Sequence, residues 1–303
     1  MELATTGRLH YPGLHHVMRC EPRTVREGSL GFGSRYRLLL VEQGTGLIEV
    51  NGRIYPLTAP AVYCLNETST LDIANCAQLM TKSVYFQPDI INSRFTFDNL
   101  SHTEVLHGSD SQDLWCLIPF REHTPTFYGC IPIDTVMTRH ISMVLEATAD
   151  LLENQNDEFW PCRSRSYLLE LLFLISRTYK QTSASPELPL TALDESVRPI
   201  IAYLHTNYRH KIMLEDLTKQ FHTNKTTLNN RFRAATGQSV MAYLGGIRMQ
   251  SAASLLRNTL LPVNEIVFMV GMNDDAHFIR SFRNHAGCTP AEYRGLHCWL
   301  LSR

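Results

Sequence analysis

The chain has 303 residues, 44% hydrophobic and 19% charged, with a formal net charge of −1. That length accommodates two domains, and that balance excludes a disordered chain, a collagen-like repeat and a polycation. No apolar run reaches membrane length, the 168–175 run being too short, and no leader-like segment is present, so a cytoplasmic protein with no membrane partner is expected. The eight Cys show no metal-binding or disulfide spacing and are expected as buried thiols in a reducing compartment.

In chain order, residues 36–43, 47–50, 53–55, 61–65 and 82–86 are short strand-like runs. They are punctuated by Gly44-Thr45-Gly46, by Asn51-Gly52 and by prolines, and Asn-Gly is a strong tight-hairpin signal. Many short strands with tight turns predict an all-β barrel or jelly roll. Two helical segments follow. Residues 133–154 carry Met137, Ile141, Val144, Leu145, Leu151 and Leu152, and residues 165–179 carry a denser apolar face. The second is expected to pack on the barrel; the first, less hydrophobic, is the better candidate for a homodimer contact. Residues 181–193 are polar and contain Pro, as a linker does. The expected divisions are thus 1–132, a helical segment 133–180, a linker 181–193 and a helical domain 194–303, an α+β architecture.

The last third carries a helix–turn–helix pattern twice, roughly fifty residues apart. In the first copy Leu214, Leu217 and Phe221 share a face, Asn224 is placed to cap, and Leu228 and Phe232 point a second helix inward. In the second copy Val263, Ile266, Val267 and Val270 go inward, Gly271 makes the turn, Asn273 or Asp274 caps, and Phe278 and Phe282 are buried. What faces outward is polar, basic and rich in amides. Asn can pair with an adenine edge and Arg or Lys neutralises phosphates, so two units on one chain suit two successive major grooves of double-stranded DNA. Charge supports this: residues 194–294 hold twelve Lys plus Arg against eight Asp plus Glu, while the remainder of the chain is acidic. The segment 240–257 joins the units, and its Gly245-Gly246 pair is expected to mark close helix packing or a slight kink.

Residues 214–217, 224–228, 231–237, 253–256, 264–267, 270–274 and 278–282, closing on Gly287-Cys-Thr-Pro290-Ala-Glu-Tyr293-Arg294, resemble the DNA-binding module of the AraC/XylS family of transcriptional regulators. The resemblance implies a seven-helix module whose third and sixth helices read DNA. By position it assigns base contacts to Thr226, Asn229 and Asn230 in the first unit and to Asp275, Ala276, His277 and Arg280 in the second. Lys225, Arg231, Arg233, Arg248 and Arg283 are the phosphate-contact candidates. Met272, His277 and Ile279 depart from the family's usual residues, and Asp274 and Asp275 place two acidic groups at the start of the second reading helix. Asp275 could accept from cytosine N4, or both could simply favour the helix N-terminus.

The strand-rich region also resembles the family's cupin-like sensory barrel, through Gln43-Gly-Thr-Gly46 and Val84-Tyr-Phe-Gln-Pro88. Its effector-binding candidates are Arg26, Thr81 and Ser83. Cupin metal sites use His-x-His on a strand; none occurs here, and the adjacent His15-His16 would point to opposite faces. No metal, cofactor or catalytic residue is expected. The resemblance implies a dimeric, effector-controlled regulator, and an activator would also contact RNA polymerase. Two alternatives stand beside it: a metal-independent cupin enzyme fused to a DNA-binding tail, and a regulator whose N-terminal domain binds a protein partner.

Overall fold

A computed structural model of the chain describes residues 4–23, 35–101, 109–122, 124, 127–181 and 195–298. Arg26 and nearly all of the expected linker lie outside the described residues. The strands are β1 (Thr5–Thr6), β2 (His15–His16), β3 (Met18–Glu21), β4 (Tyr36–Val50), β5 (Arg53–Pro56), β6 (Ala61–Leu65), β7 (Leu71–Asp72), β8 (Cys76–Phe86) and β9 (Cys130–Pro132). Helices α1 (Phe97–Ser101), α2 (Ser109–Trp115), α3 (Ile118–Arg121), α4 (Thr135–Asn154) and α5 (Trp160–Gln181) complete the N-terminal region. The C-terminal region is helical: α6 (Arg198–Asn207), α7 (Leu214–Gln220), α8 (Lys225–Thr236), α9 (Val240–Asn258), α10 (Val263–Met269), α11 (Asp275–Ala286) and α12 (Pro290–His297).

The main sheet is antiparallel in the order β3-β8-β4-β6-β9, with β5 and β7 paired to the far half of β4. It does not close into the barrel expected from the strand pattern, because β3 and β9 end the path instead of pairing. Helix α4 lies against β3 and α5 against β9, so these edges are covered by helices rather than by each other. Alternation along β4 then buries both faces. Leu38 and Leu40 join Val62, Val84, Phe86, Trp160 and Leu172 on the helix-covered side, while Leu39 and Val41 join Tyr55, Tyr63, Leu65 and Tyr85 on the other.

Residues 44–46, expected to separate two strands, are a bend within one. β4 runs unbroken through them, with register shifts against β8 between Val41 and Thr45. Gly44 and Gly46 have φ of 154° and 131°, and a Cβ on Gly46 would strike the carbonyl of Asn75. Only glycine permits this bend at this closeness. Asn51 and Gly52 do form the expected tight turn, with φ of 52° and 72°.

His16 donates to or accepts from Ser164 Oγ at 3.1 Å and stands edge-on to Trp160, with ring centroids 5.2 Å apart. It fastens the N-terminal strand to α5, and burial pushes its pKa down to about 4. Among the described residues no group of three or more His, Cys, Asp or Glu is placed to hold a metal, and no helix is long and apolar enough to cross a membrane. Of the eight Cys, Cys64, Cys116, Cys130 and Cys298 are buried, but Cys162 is exposed.

Helix α9 spans two hydrophobic cores. Its Val240, Leu244 and Ile247 enter a cluster with α6, α7 and α8; its Met249, Ala252 and Leu256 enter another with α10 and α11. Gly245 and Gly246 lie within the first of those stretches, and a Cβ on either would meet nothing within 4 Å. They mark no close packing, and α9 is continuous across them. The sheet region docks on the first of these cores. Leu47 and Ile54, from the β4–β5 hairpin, pack against it, and Arg209 donates to Gln78 Oε1.

Candidate nucleic-acid interface

Two helix pairs, α7–α8 and α10–α11, are built by the same local rules. Asn224 Oδ1 accepts from the backbone N–H of Thr227 at 2.8 Å, and Asp274 Oδ1 accepts from that of His277 at 2.9 Å. That bond holds the Asp274 carboxyl below the usual carboxylate range. Both second helices end on left-handed glycines, Gly237 at φ 74° and Gly287 at φ 77°. Ser239 and Thr289 then cap α9 and α12. Behind each pair an aromatic couple repeats: Phe232 meets Tyr243 edge-on at 5.4 Å, and Phe282 meets Tyr293 at 5.3 Å.

Burying Leu228 and Phe232 leaves Lys225, Thr226, Asn230, Arg231 and Arg233 exposed on α8. Burying Phe278 and Phe282 leaves Asp275, Ala276, His277, Arg280 and Arg283 exposed on α11. Lys225 is paired with Glu215, so its charge is shared with the preceding helix. Asn229 differs from its neighbours. It is half-buried, and its Oδ1 accepts from the N–H of Val240 at 3.4 Å, tying α8 to the start of α9.

Arg248 is not on this surface. Its Nε donates to the carbonyl of Tyr208 and its Nη2 to that of His210, both at 2.9 Å. The same loop is gripped from two more sides. Tyr208 Oη lies 3.0 Å from Ser251 Oγ, and a Cβ on Gly271 would stand 2.6 Å from the carbonyls of Tyr208 and Arg209. Gly271, at φ 76°, is therefore fixed both by its turn and by this approach. Arg248 thus fastens α9 to the loop between α6 and α7, a role its spacing in the sequence gave no means of foreseeing.

Arg209, His210 and Lys211, which no motif in the sequence singled out, lie beside the second turn, against Phe268, Met269 and Asn273. In the sheet region Thr81 and Ser83 are both buried. Ser83 Oγ accepts from Nε and Nη2 of Arg37 at 3.1 and 3.0 Å. Arg37 itself stands over the Tyr85 ring at 5.1 Å. A lone Arg inside the run Tyr36-Arg-Leu-Leu-Leu-Val was the signal for this buried polar group.

A family model described as "Helix-turn-helix domain" matches residues 217–295, which run from α7 to α12. The chain is 37% identical over 101 residues to an uncharacterized HTH-type transcriptional regulator, YdiP, of Escherichia coli, covering 33% of each chain. It is 30% identical over 131 residues to the Msm operon regulatory protein of Streptococcus mutans, covering 41% of this chain and 47% of that one. Against the HTH-type transcriptional activator RhaS of Klebsiella pneumoniae it is 23% identical over 260 residues, covering 86% of this chain and 84% of that one. The first two matches thus span a third and about half of the relatives' lengths, whereas the third runs through the sheet region as well. With α7 to α12 matched as a helix-turn-helix domain and an HTH-type transcriptional activator aligned over most of its length, the chain is similar to the regulators of the AraC/XylS family.

Proposed function

We propose that the protein is a sequence-specific DNA-binding transcriptional activator that presents two helix–turn–helix readers and answers to a small effector sensed by its N-terminal, cupin-like region. The observation that carries this reading is the equivalence of the two helix pairs: same caps, same buried Phe-x-x-x-Phe or Leu-x-x-x-Phe stripe, same Phe–Tyr brace, and an exposed polar face on α8 and α11. An α-helix with such a face fits the major groove, where Thr, Asn and Arg side chains distinguish base pairs. Thr226 and Asn230 are the base readers of the first unit, with Asn229 shared between readout and the α8–α9 contact. His277 and Arg280 lead the second, with Ala276 against a thymine methyl. Asp275 supports the N-terminus of α11. Arg231, Arg233, Arg283 and Lys225 face the phosphates.

A homodimer through α4 belongs to this reading, supported by Val136 and Met143 standing exposed on its outer face. Activation implies a contact with RNA polymerase. Selection from random duplex DNA by the full-length protein tests the core of the proposal. A recovered motif with two elements about one turn, ~34 Å, apart is the expected result. Recovery of a single short element would leave only one reader.

A further inference from the structure

Between the sheet region and the helical domain lies a cleft of 470 Å³ whose walls come from both. One wall is the bend of β4 and its neighbours, presenting Gln43, Thr45 and Thr58. The other is the end of α9 with α11 and α12, presenting Gln250, Arg257 and His285. Amides and hydroxyls supply neutral donors and acceptors, and Arg257 supplies a permanent cation. Among the described residues lining the cleft there is no carboxylate.

Arg257 is the charged centre of the second wall. Its Nη1 donates to the Tyr293 hydroxyl at 3.2 Å, while its Nε is buried without a hydrogen-bond partner. A guanidinium has five N–H donors, so this one keeps capacity for an acceptor in the cleft. A half-buried cation with unused donors, facing hydroxyl- and amide-lined space without a carboxylate, is complementary to an anion that also carries hydroxyl groups.

Resting on the reading of the protein as an effector-controlled regulator, we propose that this cleft, rather than the Thr81–Ser83 face of the sheet, is the effector site, and that it takes a small polyhydroxylated anion of hexose size, its negative group set against Arg257. A ligand held by both walls binds more tightly to one relative placement of the two domains than to others, and by that difference it biases how the DNA readers are presented. No covalent chemistry is involved.

The test is calorimetric titration of the full-length protein with hexose 6-phosphates, hexuronates and hexonates, and with the neutral parent hexoses as controls. At least one anion should bind while its neutral parent does not. Arg257→Gln should weaken that binding about ten-fold or more, as loss of a charge-assisted bond does. Thr45→Val, on the opposite wall, should weaken it as well, and Arg257→Lys should restore part of it. Thr81→Val should leave it unchanged. Binding that survives both Arg257→Gln and Thr45→Val overturns the site while leaving the effector reading intact. Failure of every anion overturns the proposal, and the effector reading stands apart from it if a neutral hexose binds or alters DNA affinity.

Discussion

Arg248 donates from Nε to the carbonyl of Tyr208 at 2.9 Å, across forty positions of sequence. With the second bond to His210, one side chain of α9 fastens the loop between α6 and α7. Arg248→Ala would leave two carbonyls without their donor, and the expected loss is about 2–4 kcal/mol of stability, read from urea unfolding. Because the Arg248 guanidinium is engaged by two backbone carbonyls, the salt dependence of DNA binding should keep its slope. A slope reduced by about one unit would put this side chain on a phosphate after all.

Arg231→Ala and Arg233→Ala should behave in the opposite way. Each is exposed on α8, so unfolding should be little changed while DNA affinity falls for all sequences and the salt slope drops by about 1. Thr226→Ala and Asn230→Ala should instead relax preference at one base pair, at a cost of about 1–3 kcal/mol for the cognate site. Asn229→Ala should show both losses together, because Asn229 also holds the Val240 N–H. Selection profiles at matched salt, beside urea curves, separate the three patterns.

Glycine substitutions should sort by what surrounds them. Gly271→Ala places a Cβ 2.6 Å from two carbonyls at φ 76° and should cost more than about 2 kcal/mol. Gly287→Ala has the same sign of φ but open space, so about 1–2 kcal/mol is expected. Gly245→Ala and Gly246→Ala, in an unstrained helix interior with nothing within 4 Å, should each stabilise by about 1 kcal/mol. Thermal and urea midpoints of the four variants check the order; a destabilised Gly246→Ala would mean α9 needs its flexibility there.

These cases show where sequence was sufficient. Caps at Asn224 and Asp274, the buried Phe232 and Phe282 and the Asn51-Gly52 turn are local matters, set by helix period or turn chemistry within a few residues. Arg248 could not be placed, because its partners are backbone carbonyls brought close only by the packing of α6 against α9. Gly44 and Gly46 looked like a turn for a related reason. Glycine at positive φ serves a turn and a strand bend equally, and only the pairing of β4 with β8 decides between them. The open sheet depended on helices covering its edges, which strand periodicity does not encode. The cleft is a property of two domains together, and no single segment carries its signature.

Acid should weaken the fold through two histidines. Burial pushes His205, which lies 3.1 Å from the Tyr243 hydroxyl, down to about 4, as it does His16. In the unfolded chain both regain their ordinary value near 6.5. Between about pH 6.5 and pH 4 the unfolded chain therefore binds protons that the folded one refuses, so stability is full above that window and falls as pH drops through it, by up to about 3 kcal/mol per group. Urea midpoints at about pH 7.5, 6 and 5 give the trend, and His205→Gln should flatten its share. A midpoint constant across that range would mean that neither ring is kept neutral.

β4 reaches from the helix-covered core of the sheet, at Leu38 and Leu40, to the surface that touches the helical domain, at Leu47. Its pairing with β8 shifts register between Val41 and Thr45, and the bend at Gly44 and Gly46 lies beside the cleft. A ligand seated at that bend would press on a strand whose far arm packs against α6, so the two glycines would set how far such a binding event is felt in the helical domain.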